Sequence, residues 1–222
     1  MVAFKPILEA AKKRAGGMPA LERRLPVPKS ARALKAVADD RYLSLMSLRV
    51  FRAGLKHAVV DARWPAFEDA FKGFEPKRVL AISDEGLEAL MKDRRLIRHW
   101  SKMKSVRDNA AAMVALAEEK GSFGAYLAEW PVADAVGLWD DLAKRFRQLG
   151  GNSGAYFLRM AGKDTFILTE SVANALRHWG AFQGAPKGKA DKRKVQAAFN
   201  EWSEATGRPL CQLSMILALS VD

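Results

Sequence analysis

The stretch Leu149-Gly150-Gly151-Asn152-Ser153-Gly154 separates two runs that both read as amphipathic helix, DAVGLWDDLAKRFRQ before it and AYFLRMAG after it. A turn between helices with three glycines, an Asn and a Ser leaves its backbone amides unhindered. The start of the following helix adds the positive end of its dipole. Such a turn cradles a phosphate, with Lys144, Arg145, Arg147, Arg159 and Lys163 close by in sequence. The competing reading is a plain helical hairpin closed by a glycine C-cap.

The flanking sequence carries the same helical period outward. Tyr42, Leu45, Met46, Leu48, Val50 and Phe51 fall at helical spacing, Trp64-Pro65 and Glu75-Pro76 each start a short helix, and Ser83 caps another. Arg94 to Glu119 is expected to form the longest helix, ended by Lys120-Gly121. No alternating strand appears apart from a possible extended piece at Phe166 to Leu168. The expected fold is all-α. Residues 1–28, interrupted by Gly16-Gly17, Pro19, Pro26 and Pro28, read as an appended arm, and 29–222 as one continuous helical domain.

Charge narrows the function. The 222 residues include 37 Lys+Arg against 25 Asp+Glu, a net charge of +12 that draws polyanions and speeds encounter with them. The cations are spread along the chain instead of lining one amphipathic helix, which favours nucleic acid over a membrane surface. A single cysteine, Cys211, excludes an internal disulfide. The amino-terminal apolar run is too short for a signal peptide, and none approaches the roughly 20 residues of a membrane span, so the chain reads as soluble and cytoplasmic.

A second informative stretch is SLRVFRAGLKHAVV, 47–60. Ala53-Gly54-Leu55 interrupts a helix with a small, backbone-exposing tripeptide between Arg52 and Lys56. In a DNA-binding protein an apolar residue on bare backbone can enter the base stack and fill the gap left by an extruded nucleotide. Otherwise Gly54 is a helix kink and Leu55 a core residue.

These residues, with FKGFEP (71–76) and LIRHWSKMKSVRDNA (96–110), resemble the 3-methyladenine DNA glycosylase I family of the helix-hairpin-helix DNA glycosylase superfamily. That family pairs an AGL-containing helix end with an F-x-x-F-[DE]-P step and an I-I-R-H-x-x-K-I-x-x-[IV]-x-x-N-A helix. The resemblance covers about residues 40 to 180. It implies a helical bundle in two lobes with the helix-hairpin-helix at about 136–162. It also implies excision of a damaged, alkylated base from double-stranded DNA by a monomer. Ala53, Gly54 and Leu55 would form the DNA wedge, and Gly150, Gly151, Asn152, Ser153, Gly154 and Lys163 the phosphate anchor. Arg49, Phe51, His57 and Trp100 would line the base pocket, with Phe51 and Trp100 as its aromatic pair.

Two departures stand out. Arg49 occupies the place of the family's base-reading glutamate, and His57 that of a pocket tryptophan. A guanidinium cannot accept a base's donors and repels a cationic purine. Cys211 with His57, His99 and His178 does not offer the family's zinc clip, so neither a metal nor any other cofactor is expected. His99 is expected to cap or support a helix, and His178 to lie on the surface.

The superfamily often places an aspartate at the start of the helix after the hairpin. Here that position falls at Thr169, with Glu170 next to it. Glu170 is therefore the first candidate for the catalytic carboxylate, or else a first-turn residue complementing the helix dipole. Asp39 and Asp40 are the fallback, or else N-capping residues. No lysine stands at the nucleophile position of bifunctional relatives, which implies a monofunctional hydrolase. The alternative is a non-catalytic relative that binds damaged or distorted DNA.

Overall fold

A computed structural model describes residues 2–221. Helix starts follow the prolines and short polar caps, and helix ends follow glycines. In chain order the α-helices are α1 (Phe4–Ala15), α2 (Met18–Glu22), α3 (Ala31–Lys35), α4 (Asp39–Arg52), α5 (His57–Ala70), α6 (Pro76–Leu80) and α7 (Asp84–Leu90). They continue with α8 (Trp100–Lys120), α9 (Phe123–Glu129), α10 (Ala135–Arg145), α11 (Ser153–Ala161), α12 (Glu170–His178), α13 (Lys189–Thr206) and α14 (Leu210–Leu219). Short 3-10 turns at Lys72–Phe74 and Val132–Asp134 complete the secondary structure, and no strand occurs among the described residues. Phe166 to Leu168 is buried but irregular.

Two boundaries differ from the sequence expectation. The long helix starts at Trp100 rather than Arg94, because Asp93 accepts hydrogen bonds from the Arg95 backbone N–H at 2.8 Å and from its guanidinium, a local turn that competes with helix. The helix expected from Pro65 starts earlier, at His57, and carries Pro65 in its interior.

The chain divides into two compact units, one of residues 1–29, 131–139 and 162–222, the other of 30–130 and 140–161. In the first unit α14 is the central element. Its apolar surface packs α1, α12 and α13. Residues 1–28 are thus not an appended arm: Phe4, Ile7 and Leu21 are buried, Phe4 lies 5.3 Å from the Trp202 ring, and the Trp202 indole donates to the Val2 carbonyl. The Pro and Gly interruptions make the corners between short packed helices. Asp164 caps α14 by accepting the amides of Leu210 and Cys211, and Thr169 caps α12 through Val172.

In the second unit α4 is the hub, packed by α5, α8 and α11, with α6 on α8 and α3 on α9. The core is a run of aromatic rings in which Phe51 sits 4.6 Å from Phe67, and Trp64 stacks on Phe67 and Phe74. Asn109, fully buried on α8, ties that helix to the hairpin: its carboxamide accepts the Arg147 N–H at 2.6 Å and donates to the Arg147 carbonyl at 3.2 Å. Two hydrogen bonds from one buried side chain fix the register of the turn that follows.

Candidate nucleic-acid interface and base pocket

The last turn of α4 ends at Ala53, whose ψ of 116° leaves the helix, and Gly54 follows with φ +77°. A Cβ at Gly54 would meet nothing within 4 Å, so it is the backbone conformation and not crowding that calls for glycine here. Leu55 is 41 % exposed and Val59, one turn into α5, is exposed as well. The kinked-helix alternative required Leu55 in the core, and its exposure shows that it is not there.

Lys102 holds this corner from α8. Its ammonium donates to the carbonyls of Ala53 at 2.6 Å and Phe51 at 3.3 Å, and lies 6.0 Å from the Phe51 ring centre. It satisfies acceptors that the end of α4 leaves open, and burial, with Arg49 nearby, pulls its pKa below the ordinary lysine value.

A cavity of about 460 Å³ opens beside this corner, lined by Arg49, Arg52, Ala53, Gly54, Leu55, His57, Tyr156 and Met160. The residues read as wedge and two of those read as pocket therefore meet at one place. Arg49 projects from the last turn of α4 with its guanidinium carbon 4.8 Å from the centre of the Tyr156 ring and Nη2 3.4 Å from Ser153 Oγ. Its Nε is buried without a hydrogen-bond partner. Burial pulls its pKa below the ordinary arginine value, Tyr156 acts in the opposite sense, and the charge of Arg52 adds to the lowering. Arg52 itself is clamped by Asp61 at 2.8 and 2.7 Å. Tyr156 and Met160 were not anticipated from the sequence. Their signal is an exposed aromatic between buried Ala155 and Phe157, with Met160 one turn further on the same face of α11.

The other two pocket candidates lie elsewhere. Phe51 is fully buried against Phe67, Trp64 and Lys102. Trp100 is 43 % exposed at the first residue of α8. His99 occupies the N-cap position of α8 and His178 sets its ring against Trp179.

The hairpin turn divides into an outer and an inner part. Gly150, Gly151 and Asn152 are exposed, Gly151 has φ +59°, and a Cβ at Gly150 would meet nothing within 4 Å. Ser153 donates its N–H to the Gly150 carbonyl, and Gly154 its own to Leu149 at 3.1 Å. Gly154 is buried, and a Cβ there would stand 3.1 Å from the Leu149 carbonyl oxygen. The glycine at 154 is thus required by packing inside the turn, whereas 150 and 151 present open backbone. Lys163 is 4 % exposed, and burial lowers its pKa. A cation so enclosed does not offer the surface charge expected of a phosphate contact.

The acids differ sharply in environment. Asp39 accepts the Phe123 N–H at 3.0 Å, tying α4 to the start of α9, and lines a separate cavity of about 310 Å³ with Glu75, Lys77 and Glu118. Desolvation raises its pKa, the Phe123 amide opposes this, and Asp40 adds to the rise. Asp40 engages the backbone and side chain of Arg41, which also reaches Glu68. Glu170 is the first residue of α12, with a carboxylate 86 % exposed and Arg177 3.9 Å away. Among the described residues no group of three His, Cys, Asp or Glu side chains could hold a metal ion, and no helix is long and apolar enough to cross a membrane.

A family model described as methyladenine glycosylase matches residues 33–143, half of the chain. Among solved structures, a 3-methyladenine DNA glycosylase I from Staphylococcus aureus is similar at 21 % identity over 69 % of this chain and 91 % of that one, with a TM-score of 0.53. An 8-oxoguanine glycosylase/lyase from Methanocaldococcus jannaschii, solved with a 15-mer DNA containing 8-oxoguanine, is similar at 12 % identity over 95 % of this chain and 94 % of that one, with a TM-score of 0.58. At these identities the two structures establish the shared helical fold, and the second likeness takes in residues on both sides of 33–143.

Proposed function

Because the chain belongs to the methyladenine glycosylase family, and is thereby a DNA glycosylase of base excision repair, we propose that it receives a damaged base, extruded from duplex DNA, in the cavity beside Arg49 and Tyr156. The observation that carries this reading is that Leu55, an exposed apolar side chain on a positive-φ glycine corner, borders the same cavity as Arg49. Leu55 would occupy the vacated place in the stack while the base enters the cavity. Gly150, Gly151 and Asn152, with nearby lysines and arginines, would hold phosphates and set the register of the duplex.

Hydrolysis of an N-glycosidic bond builds positive charge on the sugar as the base departs, so a carboxylate near C1′ and a positioned water lower the barrier. Glu170 is our candidate for that carboxylate. It heads the helix after the hairpin and its carboxylate is open to solvent, whereas Asp39 and Asp40 are committed to the Phe123 amide and to Arg41. With water as nucleophile the product is an abasic site with the strand intact.

The test is single-turnover base release from duplexes carrying alkylated, deaminated and oxidised bases. Glu170→Gln is expected to lower release by about a hundredfold with DNA affinity retained, the scale of one acid-base group. Asp39→Asn and Asp40→Asn should remain active. Full activity in Glu170→Gln would remove it from the site, and no release by the wild type from any of these duplexes would overturn the reading.

A further inference from the structure

We infer that the cavity beside Arg49 selects a neutral deaminated purine, hypoxanthine in its simplest form, over the cationic methylated purines. The inference rests on the reading that this cavity takes the extruded base.

The charge inside the cavity is one-sided. Arg49, Arg52 and His57 line it together with Tyr156, Met160 and the Ala53 to Leu55 corner, and no carboxylate is among the lining residues. Asp61 offsets Arg52 through two short hydrogen bonds. Arg49 contacts only neutral groups, the Tyr156 face and Ser153 Oγ, while the cations Arg52 and Lys102 stand near it, and its buried Nε has no acceptor. A desolvated guanidinium with an unused donor calls for an acceptor to arrive with the ligand. A positively charged base brings the opposite: it adds like charge to a site with no anion to offset it.

The planar fork of an arginine matches the O6 and N7 acceptors on one edge of a purine. Adenine offers a donor at N6 and so sets donor against donor. Deamination replaces that amine by a carbonyl, and the resulting O6/N7 pair suits Arg49. Guanine shares the pair, but its three-bonded partnership with cytosine resists extrusion, and no carboxylate lines the cavity to accept its N2 amine. Hypoxanthine opposite thymine is mispaired and leaves the stack at lower cost.

The same contact serves the chemistry. The oxygen of water bonds to C1′, the C1′–N9 bond breaks, and its electron pair departs with the base. A neutral purine therefore leaves as an anion, with charge spread onto N7 and O6, where the Arg49 donors stabilise it. The proton lost by water goes to the carboxylate base and then to solvent, and solvent protonates the departed base. The products are free hypoxanthine and an abasic site. A methylated purinium leaves as a neutral molecule and gains nothing from Arg49.

The experiment compares single-turnover release from otherwise identical duplexes holding hypoxanthine opposite thymine, 7-methylguanine opposite cytosine, or uracil opposite guanine. Wild-type protein should release hypoxanthine at least about tenfold faster than 7-methylguanine. Arg49→Glu should lose hypoxanthine release by about a hundredfold while 7-methylguanine release is kept or raised. Arg49→Gln, which retains an amide donor without charge, should fall between them and guards against misfolding of the glutamate variant, with circular dichroism on all three. Faster release of 7-methylguanine or uracil by the wild type would overturn the inference and leave the glycosylase reading standing. So would an Arg49→Glu variant whose affinity for all duplexes drops equally with base preference unchanged, since Arg49 would then be a phosphate contact. Release of no base from any duplex, alkylated and oxidised ones included, would fell the underlying reading as well.

Discussion

The Arg49 guanidinium lies 4.8 Å from the centre of the Tyr156 ring, joining the last turn of α4 to the first turn of α11 across the mouth of one cavity. The ring face holds the guanidinium beside the cavity that both residues line. A partly desolvated cation–π pair of this kind contributes about 1–2 kcal/mol. Tyr156→Phe keeps the ring face and should remain within about twofold of wild-type base release, while Tyr156→Ala should lose tenfold or more and about 1–2 kcal/mol of stability. Release rates and urea unfolding of the two variants check this. Equal losses in both would assign the effect to the hydroxyl instead of the ring.

The two ends of the Leu149 to Gly154 turn should respond differently to one charge. Gly150→Asp has open space around its new side chain, so the fold should persist while a carboxylate repels phosphate and DNA affinity falls by about tenfold. Gly154→Asp drives a buried carboxylate toward the Leu149 carbonyl and the Leu142 side chain, and should cost stability first. Fluorescence anisotropy over a salt series, beside thermal unfolding, separates the cases. Unchanged affinity in a folded Gly150→Asp would show the turn to be only a connection.

Lys102 is a positioning residue for the wedge. Lys102→Met keeps the apolar stem but leaves the Ala53 and Phe51 carbonyls without their donor, a loss of about 1–3 kcal/mol. Leu55 should then be held less firmly, so base release from a paired duplex should fall more than release from a duplex whose damaged base is already mispaired. An equal fall on both substrates would reduce Lys102 to a stabilising contact.

Asp39 gives a pH dependence of defined sign. Its folded pKa lies above the ordinary 3.8, chiefly through burial, so the folded state holds the proton more tightly than the unfolded chain does. Stability linked to this group is therefore greatest below the unfolded value and declines as pH rises through the folded one. Relative to Asp39→Asn, the wild type should gain stability on acidification from pH 7 toward about pH 4. Urea titrations of both proteins across that range measure the difference. A relative loss by the wild type on acidification would mean that the Phe123 hydrogen bond outweighs desolvation.

The sequence alone determined the class of fold, the hairpin and the corner at Gly54, because these depend on local rules: apolar period, capping residues, and glycines where φ is positive or backbone lies bare. The order of motifs from Leu48 to Ala110 likewise carried the family, and the net charge carried the polyanionic partner. Which aromatic faces the cavity was decided only by tertiary packing. Phe51 and Tyr156 are both apolar residues on amphipathic helices. Phe51 turns into the rings of Trp64 and Phe67 while Tyr156 meets a charged neighbour more than 100 residues away in sequence. Packing also decided that residues 1–28 belong to a core, since the burial of Phe4 and Ile7 depends on α14 at the other end of the chain, and that Lys163 and Gly154 are interior. A side chain's exposure is a property of what folds over it, and the period of its own helix says only which residues share its face.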